Sequence, residues 1–216
     1  MGKIIAVNGS PRSGWNTDIL VREAAEGAKQ AGAEIEVIDL YKLDKYTGCI
    51  SCFGCKREKN LGRCVCRDAL YPVLEKIRAA DGLILGTPVY LSEASAGFRA
   101  LYERLIFQYI SYKREPRSYA ERKIPVVLIF TGNAPEDFFK GPVYGKLVNG
   151  YKNNLSGFIG PTEVLCAGDT LQVEDYSPFD WTMFDPEAKK KRRAEVFPKE
   201  REEARRLGAA MVKPKK

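Results

Sequence analysis

Short apolar runs alternate with amphipathic segments along the chain, and this alternation is the feature that most constrains its fold. A run such as KIIAVN, near the N terminus, is rich in aliphatic and β-branched residues, which is typical of a buried strand. Runs of this kind predict strands at residues 3–7, 34–39, 82–85, 124–130 and 163–167. Helical spacing of apolar residues predicts helices at residues 17–31, 68–79, 95–109, 143–158 and 199–211. Strands separated by helices predict an α/β fold, a doubly wound five-stranded parallel sheet with helices on both faces.

The chain has the size and composition of a single domain. Its 216 residues, 44% hydrophobic and 29% charged, are enough for one α/β core. We predict that residues 1–185 form the domain, with a cysteine-rich insert at 48–67, and that residues 186–216 add a basic C-terminal helix or tail to it. This last segment carries twelve Lys/Arg and five Glu, which accounts for the whole net charge of +7. We interpret the surplus as a solvated helix face, with attraction to a polyanion or an acidic partner as the alternative.

Several classes of function are disfavoured by what the sequence lacks. It has no histidine, which excludes histidine acid–base catalysis and a Cys/His zinc finger. No apolar run approaches the roughly 18–20 residues of a membrane span, and the N terminus lacks the long apolar stretch of a secretory signal. We therefore expect a cytoplasmic protein whose partners include neither a membrane nor a nucleic acid.

The loop after the first predicted strand has the traits of an anion cradle. It reads Asn8-Gly-Ser-Pro-Arg-Ser-Gly-Trp-Asn-Thr17 and leads directly into a helix. Glycines let the backbone approach an anion, the helix N terminus offers unpaired N–H groups, and Arg12 can donate a charged hydrogen bond. The loop has neither the Gly-Lys-Ser/Thr end of a Walker loop nor a G-x-G-x-x-G pattern. We predict that it binds a phosphate group, and the alternative is an ordinary strand–helix turn with Thr17 as the helix cap.

Five of the six cysteines lie close together in the segment CISCFGCKREKNLGRCVC. They are Cys49, Cys52, Cys55, Cys64 and Cys66. Thiolates at this spacing can converge on a [4Fe–4S] cluster held by the first four, with Cys66 as a rival fourth ligand. Thiols without metal, a Cys₄ zinc site and a disulfide stay open as alternatives. Cys166 lies in an apolar strand and is interpreted as a core residue.

Three segments together resemble a known family. Gly9-Ser-Pro-Arg12 with Asn16-Thr17 looks like the phosphate loop of the flavodoxin-like NAD(P)H-dependent FMN reductases, and Gly86-Thr-Pro-Val-Tyr90 looks like their second flavin loop. The cysteine segment is most similar to that of the iron–sulfur flavoprotein branch. The resemblance covers about residues 3–130. It implies a flavodoxin-like sheet with strand order 2-1-3-4-5, bound FMN, and a homodimer or homotetramer.

By this resemblance, three loops would build a flavin site. The implied residues are Ser10, Arg12, Asn16 and Thr17 around the phosphate, Pro88, Val89, Tyr90 and Leu91 beside the ring, and Thr131 and Gly132 in the third loop. The implied function is an FMN-dependent oxidoreductase that passes electrons from NAD(P)H or another donor to a quinone, a flavin or an electron carrier. No catalytic side chain is expected beyond the flavin itself. Two alternatives are a non-enzymatic electron carrier of the flavodoxin type and a cysteine–zinc module whose basic tail binds nucleic acid.

An aromatic segment, DYSPFDWTMFD at residues 175–185, has no clear periodicity. Phe179, Trp181 and Phe184 would be costly to leave exposed together. We expect them to cover either the mouth of the active site or another subunit.

Overall fold

A central parallel sheet organises the computed structural model of the chain, which describes residues 2–212. Its strands are β1 (Lys3–Asn8), β2 (Glu34–Asp39), β3 (Gly82–Tyr90), β4 (Glu93–Ala94), β5 (Val126–Thr131) and β6 (Thr162–Ala167). The order is β2-β1-β3-β5-β6, with all of these strands parallel, and β4 pairs antiparallel with the end of β3. The predicted doubly wound sheet and its strand order are therefore confirmed.

The predicted strand count of five is wrong by one short strand. β3 continues to Tyr90 instead of ending at Leu85, and the chain then folds back so that Glu93 pairs with Tyr90. The turn between them places Leu91 and Ser92 in the left-handed region, with φ of 49° and 62°. No turn-forming glycine marks this hairpin in the sequence, so pattern reasoning missed it.

Helices cover both faces of the sheet. They are α1 (Asn16–Gln30), α2 (Leu70–Ala79), α3 (Ala96–Tyr109), α4 (Glu136–Lys140), α5 (Tyr144–Phe158), α6 (Pro186–Glu195) and α7 (Phe197–Ala210). Short 3₁₀ turns occupy Leu40–Lys42, Gly54–Lys56 and Glu58–Asn60. Within residues 2–212, every helix is too short or too polar to cross a lipid bilayer.

Alternate residues of the central strands point to opposite faces and build two separate cores. On one face, Leu83 and Leu85 of β3 belong to the cluster formed with α2, α3 and α5. On the other face, Ile84 belongs to the cluster formed with α1 and α7. Because both faces are covered, β5 reads as the continuous apolar run that the sequence shows.

The C-terminal segment forms two helices, where we predicted one basic helix or tail. The sequence marks the start of α6 with Pro186 at the first helical position and Asp185 just before it. In the structure, Asp185 Oδ1 accepts hydrogen bonds from the N–H groups of Glu187 and Ala188. α7 packs on α1, which supports the proposal that this segment belongs to the same domain. Residues 213–216 of the predicted segment lie outside the described residues.

The α1–α7 contact combines close backbone packing with a buried carboxylate. A Cβ atom at Gly208 would overlap the carbonyl group of Ala24, so the two helices approach as closely as glycine allows. Glu23 of α1 is buried, and its carboxylate accepts hydrogen bonds from Arg201 Nε at 2.7 Å and Arg205 Nε at 3.1 Å. Burial works to raise the pKa of Glu23, but the two arginines outweigh it and lower the pKa below its ordinary value.

Gly208→Ala should destabilise the chain by about 2 kcal/mol, because the added methyl group forces α7 away from α1. Gly150→Ala is the matched control, since Gly150 lies in α5 with open space around it. That exchange should stabilise the chain by about 0.5–1 kcal/mol through helix propensity alone. Urea unfolding midpoints of both variants measure the difference. Equal effects at the two positions would contradict the close packing of α7.

The Glu23 cluster should make stability depend on pH. A carboxyl group with a lowered folded pKa contributes stability that is complete above its unfolded pKa of about 4.3 and is lost as pH falls below it. Glu23→Gln should therefore cost about 1 kcal/mol at pH 7, a modest value because both arginines are half exposed. Urea unfolding titrations should show that this loss of stability becomes smaller as the pH is lowered towards about 3. Glu26→Gln, one turn along α1, is the control, and a pH-independent cost at Glu23 would refute the assignment.

Candidate functional site

An open crevice lies at the carboxyl ends of β1, β3 and β5, where the strand order changes direction. From β1 the chain proceeds outward to β2 and then returns to β3 on the other side, and ligands of doubly wound sheets bind at such a switch point. The crevice has a volume of about 620 Å³. Pockets for cofactors span about 300–1,000 Å³, so a mononucleotide is within its capacity.

The crevice brings together all ten residues that the sequence assigned to a flavin site. They are Ser10, Arg12, Asn16, Thr17, Pro88, Val89, Tyr90, Leu91, Thr131 and Gly132. They come from three loops that are far apart in sequence. The fold brings these three loops together on one surface.

The first loop is folded tightly by its own hydrogen bonds. Asn8 Oδ1 accepts from Ser10 N at 3.0 Å, and Ser10 Oγ accepts from Arg12 N at 3.1 Å. Gly14 N donates to Asp18 Oδ2 at 2.7 Å. A side chain at Gly9 would collide with Gly86 O at 2.8 Å, so only glycine permits the loop to press against β3.

The N terminus of α1 opens towards the crevice without a side-chain cap. Trp15 occupies the cap position, and Ile19 N donates the first helical hydrogen bond to Trp15 O at 2.8 Å. The N–H groups of Asn16, Thr17 and Asp18 precede Ile19, the first helical donor, and have no partner within the helix. The Arg12 guanidinium lies 3.9 Å from the centre of the Trp15 ring. This end of the crevice therefore favours an anion.

Asn16 and Thr17 are each partly committed to the walls of the crevice. Asn16 Nδ2 donates to Leu171 O at 2.9 Å, and Asn16 Oδ1 accepts from Arg193 Nη1 at 2.6 Å. The Thr17 and Thr131 hydroxyl oxygens lie 2.7 Å apart. These bonds join α1 to β5 and to the segment after β6.

The second loop forms a projecting edge of the crevice. Tyr90 is half exposed, and Leu91 is fully exposed in its left-handed conformation. Ser95, the N-cap of α3, holds the base of this hairpin, because its N–H donates to Thr87 Oγ1 at 3.0 Å and its hydroxyl donates to Gly9 O at 2.5 Å. The first and second loops are therefore connected directly.

Gly132 contributes surface rather than a hydrogen-bond donor. Its N–H donates to Ala167 O at 3.0 Å, and its carbonyl accepts from Thr170 N at 3.1 Å. Both backbone groups are thus already engaged. Beside it, Asn133 accepts from the buried Lys189 of α6, with Nζ 2.6 Å from Oδ1.

Sequence reasoning missed a fourth wall of the crevice. The additional lining residues are Trp15, Asn133, Thr170, Leu171, Gln172 and Val173. Most of them follow β6 in an irregular segment without a recognisable motif. Of the three aromatic residues expected to cover a site mouth or another subunit, Trp181 lines the crevice, while Phe179 and Trp181 both remain partly exposed. Phe179 stacks on Trp181 with ring centres 4.3 Å apart.

A second pocket collects the five clustered cysteines. Cys49, Cys52, Cys55, Cys64 and Cys66 all line it. All six cysteines are free thiols, so the disulfide alternative has no support. Burial raises the pKa of the Cys55 thiol and of the Cys66 thiol above their ordinary value. Within residues 2–212, no group of three or more side chains is arranged to hold a metal ion.

The two pockets lie at different levels of α3. Ser95 holds the crevice at the start of the helix, whereas Arg104, Phe107 and Gln108 line the cysteine pocket nearer its end. Nine helical steps separate Ser95 from Arg104, or about 14 Å along the axis. Cys166 lies apart from both pockets in β6, packs against the core, and burial raises its pKa to about 12.

The fold and the crevice together define a flavodoxin-like α/β protein with an uncapped helix N terminus at its switch point. The sequence model of the NADPH-dependent FMN reductases matches residues 2–134, and the chain belongs to this family.

Relatives and solved structures agree with this assignment. An iron-sulfur flavoprotein of Methanocaldococcus jannaschii is 43% identical over 103 residues, 47% of this chain and 51% of that protein. One from Methanosarcina thermophila is 35% identical over 104 residues, 48% and 52% of the two chains. The chain thus matches only about half the length of these curated relatives. An NAD(P)H:quinone oxidoreductase from Methanothermobacter marburgensis shares the fold, with a TM-score of 0.70 and 14% identity over 98% of this chain and 99% of that one.

Proposed function

We propose that the chain is an FMN-dependent oxidoreductase that takes electrons from NAD(P)H and passes them to a quinone, a flavin or an electron carrier. The observation that carries the proposal is the convergence of three separated loops on one crevice with an anion-binding helix terminus at one end. Membership of the NADPH-dependent FMN reductases supports both the cofactor and the electron donor.

The residues present fit FMN. Ser10, Arg12, Thr17 and the first N–H groups of α1 would hold its phosphate, since they combine hydroxyl, guanidinium and backbone donors beside a positive helix end. Glycine at position 9 lets the first loop lie directly against β3, which keeps the first and second loops together at the crevice.

The other end of the crevice suits a flat aromatic ring. Pro88 and Val89 supply apolar surface, and Tyr90 offers an aromatic face at the rim. FMN itself supplies the hydride and electron chemistry when it is bound, which agrees with a chain that has no histidine. The protein's part is to bind and orient the cofactor, and Trp181 is one of the residues that line the crevice.

We also propose that the cysteine pocket holds a [4Fe–4S] cluster through Cys49, Cys52, Cys55 and Cys64. The five cysteines around this pocket include the four sulfur donors that such a cluster requires, and the relatives are named iron-sulfur flavoproteins. A cluster supplies one-electron transfer when bound. Binding it requires the irregular, partly exposed loop that carries Cys52 to bring its sulfur atoms closer together.

Assembly and location are further parts of this proposal. We propose a homodimer or homotetramer, supported by the fully exposed Leu91 beside the crevice and by the exposed Met183 near its aromatic cover. We propose the cytoplasm as the location, supported by six free thiols. The acceptor is a small molecule or a redox partner protein.

Arg12→Ala should weaken FMN binding about 10- to 100-fold, because one charge-assisted hydrogen bond to the phosphate is lost. Lys29→Ala is the control, since it removes the same charge from the exposed far end of α1 and should leave the affinity unchanged. Quenching of flavin fluorescence, titrated on flavin-free protein, measures both dissociation constants.

Equal affinities in the two variants would contradict the proposed phosphate loop. A wild-type protein that stays colourless after FMN is added would contradict the FMN assignment altogether. Steady-state oxidation of NADPH with quinone and flavin acceptors tests the enzyme itself. A flavin-loaded protein with no turnover for any donor and acceptor pair would instead be an electron carrier.

Anaerobically purified protein should contain about four iron and four sulfide per chain. Cys64→Ser should lose them and keep FMN, whereas Cys66→Ser should keep both. The reverse pattern would make Cys66 the fourth ligand. Zinc in place of iron, or no metal at all, would reject the cluster and leave the FMN assignment intact.

A further inference from the structure

The wall of the cysteine pocket formed by α3 contains two buried polar side chains. Arg104 and Gln108 line the pocket, and each is only 2% exposed. Each also carries a buried nitrogen atom that has no hydrogen-bond partner within residues 2–212, Nε of Arg104 and Nε2 of Gln108. Buried donors without an acceptor are rare in folded proteins, and two of them in one pocket indicate an acceptor that binds there.

The rest of the Arg104 guanidinium is firmly held. Nη1 donates to both carboxylate oxygens of Asp68, at 2.6 and 2.7 Å, and Nη2 donates to Cys66 O at 2.8 Å. Asp68 is itself fixed, because its carboxylate also accepts from Thr47 N and Leu70 N. Of the donor atoms, Nε has no assigned acceptor, and the Cys64 side chain is the pocket group that lies beside the guanidinium.

The orientation of the Gln108 amide follows from its neighbour. Cys64 N donates to Gln108 Oε1 at 3.1 Å. Because a backbone N–H can only donate, the oxygen must face Cys64 and the NH₂ group must face the other way. The Lys56 ammonium does not compete for the pocket, since it donates to the carbonyl groups of Phe107, Gln108 and Ile110 at the end of α3.

We propose that Arg104 and Gln108 donate hydrogen bonds from Nε–H and Nε2–H to the sulfur atoms of an anionic iron–sulfur cluster in the cysteine pocket, and so raise its reduction potential. This inference rests on the proposed cluster. Reduction adds one electron, and hence one negative charge, to the cluster. Donors aimed at its sulfur atoms and a nearby guanidinium stabilise the reduced form more than the oxidised form. The two side chains thus determine how readily the cluster accepts an electron.

The experiment is a redox titration of the anaerobic full-length protein with dithionite as the electron source, followed by electron paramagnetic resonance. Gln108→Glu keeps the acceptor for Cys64 N and replaces the free donor with an oxygen atom. We expect it to shift the reduction equilibrium at least tenfold towards the oxidised form, which is 59 mV for one electron. Arg104→Lys keeps the charge and removes Nε–H, and it should shift the equilibrium in the same direction.

Arg57→Gln is the matched control. It removes a positive charge from an exposed side chain of the same loop and leaves the buried donors in place. The equilibrium constant for reduction of its cluster should differ from that of the wild type by less than twofold. FMN content, measured on every sample, reports whether the fold is intact, because the crevice shares no residue with the pocket.

The outcomes separate this inference from the proposed function. A wild type without iron removes the proposed cluster and this inference with it. If the wild type contains a cluster and both variants have the same reduction potential as the wild type, this inference alone is contradicted. Variants that keep FMN but lose iron would support it, since the donors then stabilise the bound cluster. Loss of FMN and iron together in both variants would contradict it, because the side chains would then hold the fold itself.

Discussion

The contact between the first loop and the third strand at Gly9 is the interaction on which the crevice depends. Gly9 N donates to Gly86 O at 2.8 Å, and Gly9 O accepts from the Ser95 hydroxyl. One residue without a side chain is thus clamped between β3 and the N terminus of α3. This contact sets the distance between the N terminus of α1 and the apolar edge at Pro88 and Val89. A wider residue at this point would separate the two halves of the crevice.

The basic C-terminal helices contribute more than a solvated charged face. Arg201 and Arg205 form ion pairs with the buried Glu23. Lys189 donates hydrogen bonds to Asn133 and Asp169. Arg193 donates a hydrogen bond to Asn16. Two of these contacts reach residues that line the crevice. Part of the positive charge of these helices is therefore not simply exposed to solvent, because it lies in side chains that donate hydrogen bonds to residues lining the crevice.

The sequence alone predicts the parts of this protein that have local signals. The five long strands follow from apolar runs, and the first loop follows from glycines placed between a strand and a helix. The segment around Leu171 was missed because its role comes from a backbone carbonyl that accepts a bond from Asn16, 155 residues away. Arg104 was missed because one arginine on an amphipathic helix normally points to solvent, and only its distant partner Asp68 permits burial. The clustered cysteines were recognised by spacing, whereas the buried polar side chains that line the same pocket belong to helix α3.

Helix α3 connects the two sites, and this has a practical consequence. Its first residues fasten the hairpin at the crevice, and its last turns line the cysteine pocket. Because this helix is one rigid element, its length fixes the spacing between the two sites. One residue inserted between Ser95 and Arg104 would rotate one site by about 100° about the helix axis relative to the other.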